Sequence, residues 1–184
     1  MTRLRHWWLA AATLPLLILS PRLRSIFVEM QAFCRRLPSM FKPPLPEALQ
    51  ALTPDPAQHP ITNPTSLRFG DYRNQHRPKA QRCGLLITNN QLLITCLADL
   101  AALLDRRSPL GLCLRRSLTR YHFLRRLGVP VILQFGAKFA AGKPDRDVTG
   151  HAWLTLNGQP YCEDSENWRG FVVMFSYPAI TSSQ

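Results

Sequence analysis

Residues 108–135 read SPLGLCLRRSLTRYHFLRRLGVPVILQF, and residues 149–164 read TGHAWLTLNGQPYCED. In the first stretch a helical pattern runs to Leu127 and gives way to the apolar run Val131–Phe135. Ser108 and Pro109 suit a first helical turn, where proline's fixed φ and missing N–H do no harm. Gly128 suits the position just past the last turn, and Pro130 prevents continuation. Cys113 then stands near a helix N-terminus, where unpaired backbone N–H groups and the dipole favour negative charge. A thiol so placed ionises below its usual pKa of about 8.5. Steps of 100° put Cys113, Leu114, Ser117, Leu118, Tyr121 and Leu124 on one broad face, with Cys113 at its margin. Arg115, Thr119, His122 and Arg126 fall on the far side and are expected to face solvent. His122, roughly 180° from Cys113, is badly placed to be its base.

The second stretch supplies a better base. Gly150 to Leu156 reads as a short strand closed by Asn157-Gly158, a strong hairpin signal. The returning run Gln159 to Cys162 ends in Glu163-Asp164. Cysteine on a helix, histidine on a strand and a carboxylate on the next strand is the order of nucleophile, base and orienting group. The turn admits two registers. A two-residue turn pairs Leu156 with Gln159 and sets Asp164 opposite His151; a three-residue loop with a bulge at Gly158 sets Glu163 there instead. Trp153 shares a face with His151 by the two-residue period and is placed to wall the site.

Leu112-Cys113-Leu114-Arg115-Arg116-Ser117-Leu118, then Leu124-Arg125-Arg126-Leu127-Gly128-Val129-Pro130, then Gly150-His151-Ala152-Trp153 and Asn157-Gly158 together resemble the transglutaminase-like cysteine protease of lasso-peptide biosynthesis. That is the C-terminal half of the lasso maturation protein B family. The resemblance covers roughly the last 80 residues. It implies an α+β, papain/transglutaminase-like fold and a catalytic set of Cys113, His151 and Glu163, since the family's acid stands twelve positions after its histidine. It implies a precursor peptide as substrate, from which the leader is cut, with a separate leader-recognition protein and a cyclase as partners. Some relatives couple cleavage to ATP, but no Gly-rich phosphate loop is visible here, so no cofactor is assigned. The chain departs from the family at Cys162, where an acidic residue or Asn is usual, and at Leu154-Thr155, where Val-Glu is common.

The rest of the chain frames this unit. The 184 residues suffice for one compact domain with an appendage. Lys and Arg outnumber Asp and Glu 23 to 11, a formal charge of +12, which suits acidic peptide, nucleic acid or anionic membrane without choosing among them. Five scattered cysteines with no Cys/His ligand spacing argue against structural zinc and for a reducing, cytoplasmic setting. Residues 1–42 read as an apolar, Arg-punctuated helical arm. Its run Trp7–Leu19 is short for a spanning helix, and no Ala-x-Ala site marks a cleaved signal. Docking on the domain or peripherally on a membrane explains it better. Residues 43–82 hold eight of the 16 prolines and read as a linker, with a short helix over Leu45–Leu52, a turn at Arg68–Tyr72 and a solvated basic run from His76 to Arg82. The catalytic domain is set at 83–184. In it Leu93, Leu97, Leu100 and Leu104 mark a helix stripe beginning at Asn89-Asn90. Cys96 reads as a small buried hydrophobe, and Gln134 as the polar member of an edge-exposed strand. Two other classes are weighed: an acyltransferase using the same residues with an amine acceptor, and a non-catalytic nucleic-acid-binding protein using the arginines of 106–126. The arginines surround the helix and no aromatics interleave with them, so no nucleic-acid partner is expected.

Overall fold

The computed structural model describes residues 20–54, 89–139 and 148–178. The Trp7–Leu19 run, the Arg68–Tyr72 turn, the basic run from His76 to Arg82 and Cys83 lie outside the described residues. Helices α1 (Pro21–Met40), α2 (Leu45–Leu52), α3 (Asn89–Leu104) and α4 (Leu112–Arg126) precede β1 (Ile132–Phe139), β2 (Val148–Leu156), β3 (Gln159–Pro160), the short α5 (Ser165–Trp168) and β4 (Val172–Tyr177). The strands form one antiparallel sheet in the order β3-β2-β1-β4. The fold is α+β, helices on a four-stranded antiparallel sheet. No described helix is long and apolar enough to cross a membrane.

Helix α4 begins later than Ser108-Pro109 suggests. Ser108 Oγ accepts from Leu110 N at 3.3 Å and closes a turn ahead of the helix, and Gly111 takes the N-cap. Cys113 is therefore the second helical residue. The far end follows its signals. Gly128 has φ +76°, its N–H reaches Arg125 O, and Val129 N reaches Leu124 O, the paired bonds of a Schellman cap.

The face of α4 expected in solvent is instead covered by α1. Thr119 and Arg115 are buried. Thr119 Oγ1 lies 3.1 Å from Cys34 Sγ, and the ring of His122 stacks on Phe33. Arg115 donates to the Asp105 carbonyl, and Arg126 pairs with Glu29 at 2.5 Å. Leu23, Met30, Phe33, Cys34 and Leu37 of α1 join one continuous core with α2, α3, α4 and the sheet. The periodicity of α4 missed this because Arg115 and Thr119 are polar. Their burial is tolerated because each has a partner on a neighbouring segment or in the preceding turn of α4.

Helix α3 also departs from its leucine stripe. Leu97 and Leu100 are buried and Leu93 is partly so, but Leu104 is 55 % exposed at the helix end. The buried surface instead takes in Ile94, Ala98, Ala101 and Ala102, because α3 packs against both α1 and α4. Strand β1 runs past Phe135 to Phe139, and β4 pairs along its second side. Gln134 is consequently central, not at an edge. It is buried, accepts from Ser176 Oγ at 2.8 Å and donates to Thr155 Oγ1 at 3.4 Å.

Candidate active site

Three elements bring Cys113, His151 and Glu163 together. Cys113 stands on the first turn of α4, whose cap, Gly111, has no side chain to occupy the free N–H groups. The backbone of Ala152 and of Leu114 adds to the forces that hold the Cys113 thiol below its ordinary pKa. Ser117, one turn on, anchors α4 to β2 by donating to the Ala152 carbonyl at 2.7 Å. Leu118, Leu124 and Tyr121 of the same face are fully buried beneath, and Leu114 is partly buried.

The hairpin resolves the two registers in an unforeseen way. The turn is the two-residue form, with Leu156 paired to Gln159 and Thr155 to Pro160. A regular ladder would then carry Asp164 to His151. The ladder keeps this register through the Tyr161 N–H, which donates to Leu154 O at 2.8 Å, but Cys162 then adopts φ +49°, a conformation uncommon for a residue with a side chain. This swing brings Glu163 inward, its side chain 1 % exposed, with Oε1 3.8 Å from His151 Nε2. Asp164 is left exposed at the start of α5. With Nε2 turned to Glu163, Nδ1 is the ring nitrogen left to face the sulfur. The 3.8 Å gap is longer than a hydrogen bond, so the pair meets as an ionic contact.

The charges form a coherent set. The Cys113 thiol is held below its ordinary pKa, first by its interaction with the His151 imidazole, against the opposing push of burial. Burial would lower the His151 pKa, but contacts with Cys113 and Glu163 outweigh it and hold it up at about 9. Burial likewise raises Glu163, and His151, Arg116 and Arg120 overcome this and bring it down to about 2. At neutral pH the carboxylate is ionised and the imidazole protonated, an arrangement that favours the thiolate, the form in which sulfur is nucleophilic.

Aromatic walls complete it. Trp153 stacks on the His151 ring with centroids 5.7 Å apart and planes 16° apart, and Phe171 tilts against it at 5.3 Å. Gly136 makes room for the indole: a Cβ there would fall 2.7 and 2.8 Å from two Trp153 ring carbons and 3.0 Å from the Val172 carbonyl oxygen. Gly136, Phe171, Asp99, Arg116, Arg120 and Asn167 all serve the site without having stood out in the sequence. Only Gly136, directly after an apolar run, carried a local signal for close approach. The four described cysteines are free thiols, and no described group of His, Cys, Asp and Glu is placed to hold a metal.

No curated protein and no solved structure matches the chain. A family model does match, over residues 57–176, and those residues include all three members of the cluster. With more than half of its length matched, the chain belongs to the transglutaminase-like superfamily.

Proposed function

We propose that the protein is a cysteine peptidase that removes the leader from a ribosomally made, lasso-type precursor peptide. The observation that carries the catalytic part is the convergence of a helix-borne thiol and a strand-borne imidazole beside a buried carboxylate. Cys113 Sγ attacks the scissile carbonyl carbon and forms a tetrahedral oxyanion. Collapse expels the amine, which takes the proton from His151, and leaves a thioester on Cys113. His151 then removes a proton from water, whose oxygen attacks the thioester, and the proton passes to the departing sulfur. Glu163 holds the imidazole in the required orientation and supports its charge. The Cys113 N–H, with no acceptor inside the helix, is the natural oxyanion donor, a contact worth a few kcal/mol in comparable enzymes.

The substrate class rests on the motif order from Leu112 to Gly158. The same reading gives a separate recognition protein that presents the leader, a cyclase that uses the new amine, and cytoplasmic action with peripheral membrane contact through residues 1–42. The triad chemistry itself uses no cofactor. Superfamily membership also favours a second outcome, in which an amine replaces water at the thioester. The nucleic-acid reading has less support, because Arg115, Arg116 and Arg120 are largely buried against Asp105, Asp99 and Glu163.

Mass analysis of a precursor peptide incubated with the protein and its leader-recognition partner tests the proposal. A free-acid leader and a shortened core are expected, and neither with Cys113→Ala. A new amide with no free acid would establish the acyltransferase outcome instead. An unchanged peptide in the presence of all partners would sink both.

A further inference from the structure

Glu163 is gripped from three elements. Its Oε2 accepts from Arg116 Nη2 at 2.5 Å and lies 3.7 Å from Arg120 Nη1, both on α4. Its Oε1 accepts from Asn167 Nδ2 on α5 at 2.9 Å and faces His151 Nε2 on β2. Behind the arginines stands Asp99 of α3. It takes two hydrogen bonds from Arg120, at 2.6 and 2.5 Å, and lies 3.6 Å from Arg116 Nε. Cys96 and Cys162 lie nearby, Cys96 being pushed up to about 11 by burial and therefore uncharged at neutral pH.

Two physical needs meet here. A carboxylate this buried takes up a proton unless cations oppose it. Its two oxygens are also interchangeable by rotation until something holds one of them. Arg120 is committed to Asp99, so Arg116 is the closer cation and the one that engages Oε2.

We propose that Arg116 is the positioning residue of this site, keeping Glu163 ionised at acid pH and directing Oε1 to His151. The inference rests on Glu163 acting through His151, as in the proposed mechanism, but not on the identity of the substrate. Without the cation, Glu163 gains its proton at a higher pH. The imidazole stays charged in that acid range, but a neutral Glu163 no longer holds its ring toward the sulfur, and the Cys113 thiolate loses part of its stabilisation.

The test is the pH dependence of Cys113 alkylation by iodoacetamide in the full chain, with peptide mapping to separate the other thiols. It requires no peptide substrate, so failure of the leader-peptidase reading leaves its outcome intact. Arg116→Gln is expected to raise the midpoint of the acid limb by about one pH unit, and Arg116→Lys to restore most of the shift. In a Glu163→Gln background, Arg116→Gln is expected to have no further effect. An unmoved limb in Arg116→Gln overturns the proposal, as does an equal shift with and without the Glu163 carboxylate. A Glu163→Gln limb identical to wild type overturns both the proposal and the triad. Where circular dichroism shows Arg116→Gln unfolded, Arg116→Met keeps most of the stem's packing and is read by the same criteria.

Discussion

His122 and His151 are both half-buried, and both lie among aromatic rings. His122 stacks on Phe33 at 4.4 Å, meets Phe123 edge-on at 5.1 Å, and places Nδ1 2.8 Å from the Leu52 carbonyl oxygen. His151 stacks on Trp153 and touches Phe171. Yet burial drives the His122 pKa down, with Arg126 adding to the effect, while that of His151 stands at about 9. Aromatic company does not separate the two residues. Anionic partners do: His151 faces Cys113 and Glu163, whereas His122 bonds to a neutral carbonyl, and the pull of Glu29 is opposed by Arg126 and Arg36. One is a tile between α1, α2 and α4, and the other is the base we propose.

The largest expected effect follows directly. Cys113→Ala or His151→Ala should reduce precursor cleavage on the order of 10⁴-fold, while His122→Gln leaves turnover per folded molecule unchanged. Single-turnover assays normalised to folded protein check this, and loss of turnover in the His122 variant would erase the contrast. Next in size, Glu163→Gln should lower kcat on the order of 10²-fold, with Asp164→Asn near wild type. The reverse result would mean that the regular hairpin ladder forms in solution. Gly136→Ala should cost roughly tenfold in kcat/KM, because the added methyl displaces the Trp153 ring that bears on His151. A fluorescence change without a kinetic one would show that the indole only fills space.

The smallest effects concern stability. His122→Gln should lose about 2 kcal/mol of unfolding free energy, from the ring contacts and the Leu52 bond. The two histidines also bias stability oppositely with pH. His151 binds its proton more tightly when folded, so its contribution is complete below its ordinary 6.5 and is lost as pH rises through about 9. His122 binds its proton less tightly when folded, so stability falls as pH drops through 6.5. Melting temperatures across pH 5–10 should therefore flatten on the alkaline side in His151→Gln and on the acid side in His122→Gln.

Much of this architecture is local and was legible in the sequence. The Asn157-Gly158 turn forms as a two-residue loop, Gly128 caps α4, and Leu45–Leu52 is helical. Each depends on neighbours within a few residues, where backbone sterics and hydrogen-bond geometry leave little choice. The cysteine at a helix start and the histidine on a strand were legible for the same reason. The apolar pattern of α4 even marked its buried face, Ser117, Leu118, Tyr121 and Leu124, from which Ser117 bonds to β2.

What lay beyond local reading was decided by segments distant in the chain. That α1 would cover Thr119 and His122 was hidden because polar residues are buried only when particular partners arrive, here Cys34, Phe33 and the Leu52 carbonyl. The hairpin register alone pointed to Asp164; the left-handed turn at Cys162 delivered Glu163 to the arginines instead. Residue order thus determined the three groups we propose to carry the chemistry. Tertiary packing decided which carboxylate meets the imidazole and which histidine keeps its proton, because a buried charge is stable only where several chain segments converge to balance it.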